Sequence, residues 1–194
     1  MLQLLNSLAV SFDLPILDWI AAHLHCPFLD TVMPWITKLG DAGIFWILCA
    51  LVLLCIPRTR KMGVAMSIAL VMGLVVCNMT IKPLVGRMRP YDFQALHFGR
   101  EIPLLIPALS DPSFPSGHTI ASFEGAVVIF LFNKKWGIPA LLLAIAIAFS
   151  RLYLYVHYPT DVLTAVVLGS IFAFLACWIT SSLYHRRHKG HFEA

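Results

Sequence analysis

Charged residues are scarce in this sequence. Asp, Glu, Lys and Arg together make up 12% of its 194 residues, whereas hydrophobic residues make up 59% and the mean hydropathy is +0.82. A soluble core of this chain length cannot bury so much apolar surface, so the composition excludes an ordinary soluble domain. We therefore predict an all-α fold, a polytopic transmembrane helix bundle.

Cysteine is also sparse and follows no pattern. The five cysteines are an odd number, and none are spaced as CxxC, which argues against a disulfide framework and against a zinc motif. The sequence has no internal repeat, low-complexity tract or linker, so we treat residues 1–194 as one integral-membrane domain. No Lys or Arg precedes the first apolar run, and we expect no cleaved signal peptide.

Apolar runs long enough to cross a hydrocarbon core of about 30 Å recur along the chain. We predict five spans, near residues 42–57, 62–81, 116–133, 137–156 and 160–183. In the first 40 residues, the apolar run 1–24 is interrupted by Asp13, Pro15 and Asp18, and the run 28–37 is too short to cross. We interpret them as helices that lie at the membrane interface, with Trp19 and Trp35 as anchors, and leave open a sixth span there.

Basic residues fall unevenly on the two sides of this five-span layout. One side collects Arg58, Arg60, Lys61, Lys134, Lys135, Arg186, Arg187 and Lys189. The positive-inside rule makes that side the cytoplasm and places the C-terminus there. The other side carries Lys38, Lys82, Arg87, Arg89, Arg100 and Arg151. Cations on the outer side need a partner, and an anionic head group would supply one.

The first of three polar blocks is Lys82-x6-Arg89-Pro90, at the outer end of the second span. An ammonium and a planar guanidinium are the groups that neutralise and orient phosphate oxygens. Pro83 and Pro90 indicate that helix gives way to loop around them. The alternative is a solvated basic patch that attracts lipid head groups.

The second block, Pro115-Ser116-Gly117-His118, stands where a loop enters the third span. Ser116 is a candidate N-cap, Gly117 lets the backbone come close to a ligand, and free amides at a helix N-terminus favour an anion. His118 would then lie beside that anion and could give a proton to a leaving oxygen. The alternative is that Pro115 and Ser116 simply start a helix and that His118 is an interfacial histidine without a ligand.

The third block, Ser150-Arg151-x5-His157-x3-Asp161, carries the candidate reaction. Arg151 is six residues before His157, about 9 Å along a helix, so it can reach toward the same head group. Pro159 suits the first position of the last span, which puts Asp161 in its first turn. From there the carboxylate can fix the His157 ring while the other ring nitrogen attacks phosphorus.

A metal site or a simple helix cap would also use a His-Asp pair. Zinc takes at least three protein ligands, and the remaining candidates sit among cations. Asp92, Glu101 and Asp111 lack the clustering that magnesium requires. We therefore expect neither a metal nor another cofactor.

Taken together, the three blocks resemble the type 2 phosphatidic acid phosphatase superfamily, whose signature is these blocks in this order and spacing. The resemblance implies a metal-independent phosphatase or diphosphatase that works through a phosphohistidine. It implies that His157 is the nucleophile, Asp161 orients it and His118 protonates the leaving group. Lys82, Arg89 and Arg151 would hold the phosphate, and Ser116 and Gly117 would add donors.

The short layout resembles small bacterial undecaprenyl diphosphate phosphatases of that family. This resemblance implies hydrolysis of undecaprenyl diphosphate to undecaprenyl phosphate at the outer face of the bacterial cytoplasmic membrane, a step in cell-wall biogenesis. Phosphatidylglycerophosphate and phosphatidic acid are alternative substrates. An anionic-lipid binder or transporter is the non-enzymatic alternative. We expect lipid partners and no nucleic acid, and the sequence leaves the oligomeric state open.

Two further residues are candidates with competing interpretations. Arg87 could contact a second phosphate, or could form an ion pair within the scaffold. Glu124, six residues into the third span after His118, could mark a pathway through the bundle interior, since acids are rarely exposed to lipid. It could instead be a protonated side chain that hydrogen-bonds a neighbour such as Asn78.

Overall fold

The computed structural model describes residues 2–189, and this part of the chain contains helices and no strand. The helices are α1 (Leu2–His23), α2 (Pro27–Lys38), α3 (Ile44–Cys55), α4 (Arg60–Gly73), α5 (Pro90–Phe98), α6 (Gly117–Phe132), α7 (Lys134–Tyr153) and α8 (Pro159–Lys189). The predicted all-α class is confirmed. The predicted cytoplasmic C-terminus lies outside the described residues, as do the side chains of Arg186, Arg187 and Lys189.

The helices match three of the five predicted spans fully, those near residues 62–81, 137–156 and 160–183, and the other two in part. Among the described residues, α1, α7, α8 and the stretch that begins with α4 are each long and apolar enough to cross a membrane. The pair α2 and α3, bent by 41°, forms a fifth candidate, and α6 is a shorter apolar helix. α4 continues through a π-helical segment, Leu74–Ile81, and one further turn, Lys82–Val85. The first polar block therefore begins where this long stretch ends.

The N-terminal segment is helical, as expected, and α1 continues through Asp13 and Pro15. Its length and hydropathy keep it among the candidate spans. Its acidic side chains, however, bond to loops at one end of the bundle: Asp13 to Arg87, and Asp18 to Arg100. Those contacts favour the interfacial interpretation of α1.

Helix α6 packs at the centre of the bundle, against α3, α4, α7 and α8. Small side chains allow these close approaches, as is usual between membrane helices. A Cβ on Gly125 would lie 2.2 Å from Cε3 of Trp46, so glycine is required there for α3 to pack on α6. The indole nitrogen of Trp46 donates to Ser122 Oγ at 3.1 Å. This packing fixes where the N-terminus of α6, and with it the second polar block, lies.

Candidate active site

The fold brings the three polar blocks together at one end of the bundle. The first block ends the α4 stretch, the second begins α6, and the third forms the turn between α7 and α8. The connections after α3 and after α6 lie at the opposite ends of these helices. The grouping of the blocks at one end is therefore what the sequence predicted.

The turn between α7 and α8 presents His157. The backbone amides of Val156 and His157 both donate to the carbonyl of Arg151, at 3.2 and 3.3 Å. Tyr155 adopts φ +59°, a left-handed conformation that costs free energy for a residue other than glycine. Its hydroxyl donates to Asp18 at 2.8 Å and accepts from Gln94 at 2.9 Å, so neighbouring elements hold the turn in place.

The buried His157 ring lies between the Asp161 carboxylate and the Arg89 guanidinium. Its Nδ1 is 3.4 Å from Asp161 Oδ2 and 3.4 Å from Ser113 Oγ. Its Nε2 is 3.4 Å from a terminal nitrogen of Arg89. Because Asp161 can only accept when ionised, we assign the proton to Nδ1. The Nε2 lone pair then faces the cations of the first block.

Asp161 is placed in the first turn of α8, and α8 begins at Pro159 as predicted. Its Oδ2 accepts from the Ser113 hydroxyl and, at 3.0 Å, from the backbone amide of Tyr158. The carboxylate therefore caps the helix and faces His157 at the same time. The sequence left open whether Asp161 is the partner of His157 or a simple helix cap, and in the structure one carboxylate makes both contacts.

Arg87 lies behind Asp161. Its guanidinium donates to Asp161 at 2.5 Å and to Asp13 at 2.8 Å, and it stacks on the ring of Tyr158 at 3.7 Å. It also donates to Thr160 at 2.8 Å and is only 1% exposed. These bonds use the guanidinium within the scaffold, which favours the ion-pair interpretation of Arg87 over contact with a second phosphate.

Three cations, Lys82, Arg89 and Arg151, lie near the His157 ring. Arg89 donates to the carbonyl of Val156 at 2.7 Å and to Asp111 Oδ1 at 2.8 Å, and Lys82 donates to the other oxygen of Asp111. Arg151 is buried and donates to Thr37. Among the described residues Arg151 makes no salt bridge, and its Nε has no hydrogen-bond partner. The positive charge of the three cations therefore exceeds the negative charge of Asp111, and the excess can bind an anion.

The same environment holds His157 neutral. Burial, followed by the charges of Arg89, Arg151 and Lys82, holds the pKa of His157 well below its usual value of 6.5. The imidazole is therefore unprotonated at pH values where a free histidine would carry a proton. A neutral ring is the form that can act as a nucleophile.

His118 faces the site from the first turn of α6. Its Nε2 lies 2.8 Å from Asp41 Oδ1, and a Cβ on Gly40 would lie 2.7 Å from its ring. α6 begins at Gly117 with Ser116 as its N-cap residue. The Ser116 hydroxyl bonds Thr119 Oγ1 at 2.9 Å rather than a backbone amide, so the predicted side-chain cap is not formed.

A cavity of about 700 Å³ runs from these residues into the bundle. Lys82, Asp111 and His118 lie at its polar end, and side chains of α3, α4 and α6 form largely apolar walls. Glu124 also lines it and packs on α4, where a Cβ on Gly73 would lie 2.2 Å from its Oε1. That oxygen has no hydrogen-bond partner among the described residues. A bond to Asn78 was one of the two alternatives for Glu124, and the unpaired oxygen does not support it.

Three residues of the site were not found from the sequence: Asp41, Ser113 and the Arg87 partner Asp13. Each reaches the site through a contact between distant parts of the chain, and none belongs to a block. Asp13 had been interpreted only as an interruption of an apolar run. Among the residues that the structure describes, no three His, Cys, Asp or Glu side chains are grouped so that they could bind a metal ion.

Comparison with known proteins gives the same family as the blocks. The family model described as the PAP2 superfamily matches residues 60–185. The chain belongs to the PAP2 superfamily. It is therefore a membrane lipid phosphatase, an enzyme that hydrolyses phosphate esters or diphosphates, as predicted from the three blocks.

Individual PAP2 relatives are similar over most of the chain. An undecaprenyl-diphosphatase of Sulfolobus acidocaldarius is 34% identical over 79% of this chain and 72% of its own. The undecaprenyl-diphosphatase BcrC of Bacillus subtilis is 32% identical over 78% of this chain and 75% of its own. The crystal structure of Aquifex aeolicus LpxE superposes with a TM-score of 0.72 at 26% identity, over 86% of this chain and 94% of that one.

Proposed function

We propose that this PAP2 phosphatase removes the terminal phosphate of undecaprenyl diphosphate, at the outer face of a bacterial cytoplasmic membrane, through a phosphohistidine. The single observation that carries the proposal is that Lys82, one member of the cation cluster, lines the polar end of a cavity with largely apolar walls, together with Asp111 and His118. A lipid diphosphate has a matching anionic head and apolar tail. The names of the two undecaprenyl-diphosphatase relatives support the choice of lipid.

In the first half-reaction, Nε2 of His157 attacks the terminal phosphorus. The P–N bond forms as the bond between phosphorus and the bridging oxygen breaks, and the ring gains a positive charge. Asp161, 3.4 Å from Nδ1, stabilises that charge. Lys82, Arg89 and Arg151 neutralise the phosphoryl oxygens, and the Gly117 amide at the start of α6 adds a donor. The Ser116 amide instead donates to the Asp161 carbonyl at 3.5 Å.

The leaving group needs a proton, and His118 supplies it. Its Nε2 lies 2.8 Å from Asp41 Oδ1, and this contact orients the ring. After the lipid monophosphate leaves, a water molecule attacks the phosphohistidine. His118, now neutral, takes a proton from that water, and the products are inorganic phosphate and free His157.

The substrate assignment is tested by turnover of purified protein in detergent with excess chelator. We expect phosphate release from undecaprenyl diphosphate with a kcat/KM about tenfold or more above that for phosphatidylglycerophosphate or phosphatidic acid. The reason is that the longer prenyl chain buries more apolar surface in the cavity. A higher kcat/KM for either glycerolipid would overturn the choice of lipid, and strict dependence on added metal would overturn the mechanism.

The orientation of the site is a separate proposal, supported by the basic residues around Arg58 and Lys134 at the opposite ends of the spans. We expect a membrane-impermeant thiol reagent applied from outside intact cells to label Ala95→Cys and to spare Thr59→Cys, in a chain cleared of native cysteines. Labelling of position 59 from outside would reverse the orientation.

The non-enzymatic alternative from the sequence, an anionic-lipid binder or transporter, is disfavoured by membership of the PAP2 superfamily. It would use the same cations but would not need a neutral imidazole held between Asp161 and Arg89. The substrate assay separates the two, because a binder releases no phosphate.

A further inference from the structure

Asp111 connects the two cations of the first block. Its Oδ1 accepts from Arg89 at 2.8 Å and its Oδ2 accepts from Lys82. The Asp111 side chain is 51% exposed, whereas those of Lys82 and Arg89 are 12% and 3% exposed. Two carboxylate oxygens thus take the donors that two phosphate oxygens would take. The acid lies at the polar end of the cavity, where a head group would bind.

The backbone on both sides of Asp111 is fixed. On one side, the Tyr91 hydroxyl donates to the carbonyl of Leu109 at 2.8 Å and accepts from its amide at 2.9 Å. On the other side, the amide of Ser113 donates to the carbonyl of Arg87 at 2.8 Å. Only a short arch, residues 110–112, separates these two anchored points.

Arg89 is also fixed independently of the Asp111 carboxylate. It donates to the Asp111 carbonyl at 2.9 Å and to the Val156 carbonyl at 2.7 Å. The exposed carboxylate can therefore rotate away while the arch and the guanidinium stay in place. A phosphate that enters the site would find the cations already oriented.

The net charge of an anion decides whether it can displace the Asp111 carboxylate from Lys82 and Arg89. Burial alone would raise the pKa of Asp111, but the bonds and charges of Lys82 and Arg89 outweigh it and hold the pKa below its usual range. The carboxylate thus stays ionised and carries one negative charge. A phosphate monoester or terminal diphosphate carries up to two charges and can also use Arg151, whereas a phosphodiester head group carries one.

We propose that Asp111 is a specificity-determining residue, an internal carboxylate that competes for Lys82 and Arg89 and yields only to a phosphate of higher charge. The inference rests on the proposed phosphatase function of this site. It explains how the enzyme keeps its cations from the monoanionic phosphodiester lipids that surround it. Discrimination comes from a built-in competitor rather than from an extra contact with substrate.

Binding of inorganic phosphate to purified protein, measured by calorimetry in detergent, tests this proposal without reference to any lipid. Asp111→Asn removes the competing charge, so we expect phosphate to bind about tenfold more tightly and the KM for undecaprenyl diphosphate to fall by a similar factor. Inhibition by micellar phosphatidylglycerol should become stronger. Asp111→Glu keeps a carboxylate and should bind phosphate within about threefold of wild type.

Asp92→Asn is the matched control, since it removes the same charge from an exposed position at the start of α5. It should leave phosphate binding within about twofold of wild type. Where the Asn variant melts early, Asp111→Ser gives a second uncharged side chain. Unchanged or weaker phosphate binding in folded Asp111 variants would overturn the proposal and make Asp111 a support for the cations.

Different results would refute the phosphatase function and the role of Asp111. Wild-type protein that binds phosphate but hydrolyses no lipid phosphate would refute the proposed function, while the phosphate affinities of the Asp111 variants would still decide the competition. Wild-type and Asp111→Asn proteins that both fail to bind phosphate would overturn the specificity proposal, even if lipid turnover is normal.

Discussion

Replacing His157 by alanine should reduce turnover by roughly 10⁴-fold or more, because the substitution removes the atom that bonds to phosphorus. His157 is the point where the neutral imidazole, the Asp161 carboxylate and the cation cluster meet. The measurement is the initial rate of phosphate release by purified protein in detergent. Phosphate affinity should be retained, since Lys82, Arg89 and Arg151 remain.

His23→Ala is the control for this substitution. His23 is exposed on α1, where its ring bonds the carbonyl of Trp19 and stacks on the indole. Its loss should leave the rate within about twofold of wild type. Turnover by His157→Ala within tenfold of wild type would refute the nucleophile assignment.

Replacing Arg87 by methionine should be the most destabilising change near the site. The buried guanidinium bonds both Asp13 and Asp161, so its loss leaves two buried carboxylates without a countercharge. Breaking a buried pair in this way costs about 3–5 kcal/mol, which corresponds to a drop in melting temperature on the order of 10 °C. Turnover should fall as well, because Asp161 loses the partner that fixes it. Thermal unfolding in detergent, followed by intrinsic fluorescence, measures the first effect.

Two further variants make the Arg87 result specific. Arg100→Met breaks an exposed pair with Asp18 and should cost less than about 1 kcal/mol. Asp13→Asn combined with Arg87→Met removes one of the stranded charges and should recover part of the lost stability. A melting temperature of Arg87→Met close to that of Arg100→Met would show that the buried ion pairs contribute little.

The sequence predicted which residues lie together at the site better than it predicted the residues that hold them in place. The three blocks, their grouping at one end and the start of α8 at Pro159 follow from local rules: apolar run length, proline position and residue spacing. Those rules depend on neighbours within one or two helical turns. The predicted residues therefore lie together in the structure, although their catalytic roles stay predictions.

The residues that hold the site in place could not be predicted, because they act through contacts between distant segments of the chain. Asp41 meets His118 across 77 positions, and Asp13 meets Arg87 across 74. At α1, the sequence showed Asp13 only as an interruption of an apolar run. In the structure this acid is buried against Arg87 and Thr160, so a polar residue in an apolar run marks a partner elsewhere. Spacing alone cannot name that partner.

The central claim is that the phosphoryl group passes through His157, and trapping that intermediate tests it most directly. Wild-type protein would be mixed with undecaprenyl diphosphate that is radiolabelled in its terminal phosphate, then denatured in alkali within one turnover. The account predicts one acid-labile, alkali-stable label on the peptide that contains His157, and no label in His157→Ala. Turnover without labelled protein, or label on a residue other than His157, would contradict it.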